Sequence, residues 1–339
     1  MARTLPHDDQ DWSDVDQREE APERVTLPAF GWLALTFLLA LYLRGPLARL
    51  LDGPALGTWT TIFVSISVQA LPFLVLGVVL SGAITALVPP GWLAKTLPKR
   101  PLVAVPAAGL AGVALPGCEC GAVPIAGRLT ARGAAPAAAF AFMLAAPAIN
   151  PVVLVSTAVA FPGRPEMVAA RFLASLATAV AVGLLWTRLG RDAWIDRTRH
   201  RSVEGQTRWR SFTEVAQHDF LHAGGWLVLG AMTAATLQVV VPRSVLDGVA
   251  DNPALAVVAL AGLAVVLAVC SEADAFVAAS LNQFSLTARL VFMVVGPVVD
   301  LKLVALQTGV FGRRFALRFA PLTLAVAVFF GCVVGWWLL

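Results

Sequence analysis

Two short polar stretches interrupt long apolar runs and hold the residues best suited to chemistry. The first is Cys118-Glu119-Cys120-Gly121, followed by Pro124; the second is Cys270-Ser271-Glu272-Ala273-Asp274. Two thiols flanking a carboxylate at a tight turn suit a soft metal or metalloid, because thiolates select soft ions. A Cys-x-Cys pair is weak evidence for structural zinc, since no second pair completes a tetrahedral set. Cys270 supplies a third sulfur if the two stretches meet. The competing reading makes these cysteines small apolar packing residues, the role assigned here to Cys332.

Charge sharpens the choice. Glu119, Glu272, Asp274 and Asp300 are the acids inside otherwise apolar segments, with Glu166 at a boundary. An ionised group at the bilayer centre costs about 2.5–3.5 kcal/mol on insertion scales, so such residues mark function by default. Lys302 is the lysine of this region, two positions from Asp300. On a regular helix those two side chains diverge, so Glu272 or Asp274 is the expected partner. Acids left over after that pairing point to ion coupling; the alternative is a charge-balanced plug that holds two halves in register. Pro116, Gly121, Pro124, Pro147, Pro151 and Pro297 are placed to break helices and free backbone groups. His218 and His222, at i,i+4 and without a third ligand nearby, read as interfacial and structural rather than metal-binding. The tryptophans read as interfacial anchors.

The elements that position these residues are membrane helices. Of 339 residues 58% are hydrophobic and 14% charged, with a mean hydropathy of +0.77; soluble domains carry about 25% charged residues. That excludes a soluble enzyme, a nucleic-acid-binding protein and a disordered scaffold, and nothing suggests a cofactor. With about 20 apolar residues per span, candidate spans are 28–43, 60–88, 134–161, 166–188, 219–241, 286–312 and 318–339. Residues 101–115 and 253–270 are too short, and each runs into one of the polar stretches before a second short arm. Both read as helical hairpins that return to the side they entered. Eight of the 21 acids lie in residues 1–27, an acidic, disordered cytoplasmic tail, and seven arginines lie between Arg188 and Arg210. Under the positive-inside rule, the N-terminus is cytoplasmic and the C-terminus external. The expected divisions are the tail 1–27, a first span and external linker 28–58, a repeat 59–190, a basic cytoplasmic loop 191–218 and a second repeat 219–339.

The repeat is visible in the sequence itself. A shift of 150 residues places Cys120 on Cys270, Phe142-Met143 on Phe292-Met293, Pro147 on Pro297, Asn150 on Asp300 and Phe161 on Phe311. With the topology above the halves are inverted, an arrangement in which transporters bind substrate near the midplane where broken helices meet. The expected fold is therefore all-α and polytopic, with two inverted repeats, each holding a broken or re-entrant hairpin, and about seven full spans.

At Leu115-Pro-Gly-Cys-Glu-Cys-Gly-Ala-Val-Pro124, the following Arg128/Gly133 segment and Ala145-Ala-Pro-Ala-Ile-Asn-Pro151, the chain resembles a family of bacterial predicted permeases (YraQ-like) that includes efflux permeases for trivalent organoarsenicals. Ser271-Glu-Ala-Asp274 and Gly296-Pro-Val-Val-Asp300 fit as well, and the resemblance covers most of residues 55–339. It implies a multi-pass protein of the bacterial inner membrane and, by analogy, efflux with Cys118 and Cys120 as candidate thiol ligands. The expected function is a secondary permease for a small solute or metalloid, coupled to protons, in a lipid bilayer and without nucleic acid. No Walker A motif is present, so energy comes from a gradient or from a separate subunit. Two alternatives stand beside it: a membrane thiol oxidoreductase using Cys118 and Cys120, and a subunit of a two-component permease or homo-oligomer. The candidate substrate-binding residues are Cys118, Glu119, Cys120, Gly121, Pro124, Asn150, Cys270, Ser271, Glu272, Asp274, Asp300 and Lys302.

Overall fold

The computed structural model describes residues 54–87, 98, 100–114, 118–190, 208–240 and 252–339. The expected span 28–43, Leu115 to Gly117 of the first polar stretch, and most of the basic loop lie outside these residues. Every described element is helical: α1 (Pro54–Leu87), α2 (Pro101–Ala111), α3 (Glu119–Ala131), α4 (Pro136–Ile149), α5 (Pro151–Ala160), α6 (Pro165–Leu189), α7 (Arg208–Val240), α8 (Pro253–Leu267), α9 (Asp274–Ser280), α10 (Leu286–Val295), α11 (Leu301–Phe311) and α12 (Arg313–Leu338).

Proline and capping residues set most of these boundaries. Helices α2, α4, α5, α6 and α8 open on proline in the first turn, where its missing N–H breaks no intrahelical bond. Asn150, Asn252, Ser285 and Asp300 cap α5, α8, α10 and α11 through side-chain oxygens, each satisfying an orphan backbone donor. Among the described residues, four helices are long and apolar enough to cross a membrane: Leu56–Leu87, Pro136–Ala160, Pro165–Leu189 and Arg313–Leu338. The protein is thus an all-α, multi-pass membrane protein.

Interruptions fall where the prolines lead one to expect them. The segment 134–161 is interrupted at Asn150, where α4 gives way to α5. The span 286–312 is two helices, separated by Gly296 to Asp300. Residues 54–58 and 208–218, read as linker and loop, are helical, because hydropathy marks where a helix meets lipid and not where its backbone hydrogen bonds begin.

The helices among the described residues fall into two series of matching order. Each runs long helix, short helix, tip, short helix, interrupted helix, long helix. Each short tip helix packs on the second segment of the interrupted helix in the other series, α3 on α11 and α9 on α5. Helices α6 and α12 pack together around an aromatic knot of Phe140, Trp186, Phe311, Phe315 and Phe319, with Phe140 meeting Trp186 edge-on at 4.9 Å. Edge-to-face pairs of this kind add directional attraction to apolar burial, and here they join the two series.

Candidate functional site

The first tip is built on the N-terminus of α3. Cys118 is its extended cap residue, and the Cys118 carbonyl accepts from the backbone N–H groups of Gly121 at 3.1 Å and Ala122 at 3.3 Å. That turn directs Cys118, Glu119 and Cys120 inward, each at most 1% exposed. One ligand atom from each of the three lies within 4.8 Å of the others. All the cysteines are free. The two tips meet at Lys302, which reaches Glu119 of the first and the Ala268 carbonyl at the second. Gly121 serves the packing: a Cβ on Gly77 of α1 would lie 2.4 Å from its Cα. Pro124 lines a cleft between α3, α7 and α11.

The second tip turns at Cys270, whose carbonyl accepts from Ala273 and Asp274 N–H at 2.9 and 3.0 Å. Ahead of it Ala268 adopts a left-handed conformation (φ 48°), the one non-glycine among the described residues with positive φ. Strain of this sort persists only where surrounding contacts enforce it. Three bonds hold this turn: Lys302 Nζ donates to the Ala268 carbonyl at 3.3 Å, Gln238 to the Leu267 carbonyl at 2.7 Å, and Ala268 N–H to the Ala264 carbonyl at 3.3 Å.

Lys302 is fully buried, with Nζ 2.5 Å from Glu119 Oε1 and 3.6 Å from Asp300 Oδ2. The expected pairing with Glu272 or Asp274 is wrong. Asp300 stands outside the helix as the cap of α11, with φ −142° and ψ 171°, and its Oδ1 accepts from Leu303 N–H at 2.5 Å. The spacing rule for a regular helix does not reach a residue with extended backbone, so Oδ2 is free to face Lys302.

Asp274 belongs instead to Arg171, a residue the sequence reading passed over. Arg171 of α6 is 0% exposed; its guanidinium donates to Asp274 Oδ2 at 2.7 Å, to the Ser271 carbonyl at 3.1 Å and to Thr157 Oγ1 at 2.8 Å. The signal was available: Arg171 is the one charged residue between Met167 and Thr187. Asn150 stands in the first series where Asp300 stands in the second. Its Oδ1 accepts from Val153 N–H at 3.0 Å, and its amide donates to the Ala146 carbonyl at 3.1 Å.

Four acids (Glu119, Glu272, Asp274, Asp300) thus face two cations, Lys302 and Arg171. Glu119 Oε2, Glu272 Oε2 and Asp274 Oδ1 are buried without a hydrogen-bond partner, as is the Ser271 hydroxyl, while Glu119 Oε1 and Asp300 Oδ2 face Lys302. Orphaned polar atoms in a native interior call for explanation by function or by an occupant. All but the Ser271 hydroxyl of these are pure acceptors when ionised, so a donor or a cation is what would satisfy them.

Residues 55–336 match the model of the ArsP_1 family, described as a predicted permease. The chain belongs to this permease family. It is 37% identical over 262 residues, 75% of its own length and 89% of the relative's, to the "UPF0718 protein YcgR" of Bacillus subtilis. It is 31% identical over 282 residues, 81% of its length and 94% of the relative's, to a Streptococcus mutans protein named "Putative two-component membrane permease complex subunit". No solved structure matches it. The chain is a membrane permease that moves a small solute, and not a thiol oxidoreductase.

Proposed function

We propose that this permease exports a thiol-reactive metalloid species, such as a trivalent organoarsenical, bound where the two tips meet. The observation that carries the reading is the convergence of Cys118, Glu119 and Cys120 within 4.8 Å, with Cys270 buried in the other tip. A trivalent metalloid bonds two or three thiolates, and soft sulfur ligands select it over hard ions. The carboxylates in excess over Lys302 and Arg171 carry the coupling protons, with Glu272 the residue least committed to a partner.

The transport cycle we infer is alternating access between inverted repeats, 59–190 and 219–339. The short helices support it: α2 and α9, of 11 and 7 residues, span about 17 and 11 Å at 1.5 Å per residue, short of the roughly 30 Å hydrocarbon core. Each tip is then re-entrant, seven segments span fully, the N-terminus is cytoplasmic and the C-terminus external. The Streptococcus mutans relative's name adds a second possibility for assembly, a partner subunit in the membrane.

The test is metalloid tolerance in a sensitive host, paired with binding of phenylarsenous acid to the purified permease. Cys118→Ser and Cys120→Ser should each abolish protection and weaken binding at least tenfold, while Cys332→Ser should change neither. Unaltered tolerance and binding in both tip variants would remove the thiol-ligand reading.

A further inference from the structure

Helix α3 carries ion pairs at both ends. At its N-terminus Glu119 meets Lys302 of α11. At its last turn Arg128, 3% exposed, holds Asp219 of α7 in a bidentate clasp, Nη2 to Oδ1 at 2.5 Å and Nε to Oδ2 at 3.0 Å. Ser81 of α1 donates to the same Oδ2 at 2.7 Å. One carboxylate therefore gathers three donors from two other helices, the strong, geometrically specific form of charge-assisted bonding.

The position of this clasp matters more than its strength. The Asp219 side chain is 13% exposed and that of the adjacent His218 is 44% exposed, whereas Cys118, Glu119 and Cys120 are sealed. A cleft of about 20 Å³ opens beside it, lined by Pro124, His218, Asp219, His222, Gly309 and Val310, with room for roughly one water. The clasp thus stands between a partly exposed stretch of α7 and the buried length of α3. It is not a metal site: His222 Nε2 is engaged with the Gly309 carbonyl at 3.0 Å, and the one metal-competent cluster among the described residues is that at Cys118.

Gly77 and Gly121 bring the backbones of α1 and α3 into direct contact, and beyond them Arg132 donates to the Thr85 carbonyl of α1. The Arg128–Asp219 pair ties α3 to α7 of the second series, and an ion pair weakens once water reaches it.

We propose that Arg128, Asp219 and Ser81 form the gate at this end of α3, a latch whose opening admits solvent and cargo to Cys118, Glu119 and Cys120. The inference rests on the transport reading of the tips, but its readout is access and not affinity, so failure of the metalloid assignment leaves it standing. The full chain in right-side-out and inside-out vesicles is exposed to a charged, membrane-impermeant maleimide, and each native cysteine is scored by mass. Asp219→Asn should raise labelling of Cys118 and Cys120 at least tenfold from one face and leave the other face unchanged. The reversed pair Arg128→Asp/Asp219→Arg should bring labelling back toward the wild-type level. Labelling equal to wild type, or raised equally from both faces, overturns the gate. Should Asp219→Asn fail to accumulate, Ser81→Ala, which removes one donor and keeps the ion pair, must still raise one-sided labelling, and its failure to do so overturns the proposal.

Discussion

Lys302 and Glu119 come from different halves of the chain and meet at 2.5 Å, both buried. The same ammonium reaches Asp300 and the strained Ala268 carbonyl, so one side chain fastens both tips. A contact of this kind restrains the site until something else satisfies its oxygens.

Removing one partner of a buried pair leaves the other charge uncompensated, a loss of about 3–5 kcal/mol. Lys302→Met should therefore lower the thermal midpoint of the detergent-purified protein sharply. The double variant Lys302→Met/Glu119→Gln should recover much of it. Tryptophan fluorescence on heating reads both, and a double variant no more stable than the single would show that the pair is not coupled.

Arg171 binds three acceptors in a planar fork, which lysine cannot reproduce. Arg171→Lys should accumulate in the membrane yet lose most transport, with faster amide exchange confined to residues 268–280. Exchange that rises evenly along the chain would instead mark a general packing defect.

The cap and the charge of Asp300 are separable. Asn caps as well as Asp, so Asp300→Asn should keep α11 and its thermal midpoint while reducing transport severalfold. Asp300→Ala loses the cap as well and should cost about a further 1 kcal/mol. Equal stability of the two variants would sink the capping role.

A methyl group on Gly77 would meet backbone at 2.4 Å, whereas one on Gly225 meets nothing within 4 Å. Gly77→Ala should reduce folded protein in the membrane several-fold and Gly225→Ala should be silent. Quantifying monodisperse protein by size-exclusion chromatography checks the contrast.

What could be read from sequence was whatever announced itself locally. Cys118 to Cys120 and Cys270 to Asp274 stand out against apolar surroundings, and the prolines at 151 and 297 mark real interruptions. Matches such as Cys120 with Cys270 prefigure the shared element order. Pairings were less legible, because Arg128 finds Asp219 across 91 residues and Arg171 finds Asp274 across 103, distances over which no periodicity speaks. Lys302 was misassigned for a narrower reason: the rule for helical neighbours was applied to Asp300, whose backbone is extended. The starts of α1 and α7 were set late because lipid contact and helical hydrogen bonding begin at different residues.

Asn150 and Asp300 do the same backbone work at equivalent places, one neutral and one acidic. The equivalence is one of backbone alone, since Val152 stands where Lys302 would have its counterpart. The buried charge at these two breaks is therefore lodged in one series only, which leaves otherwise matching elements electrostatically unlike.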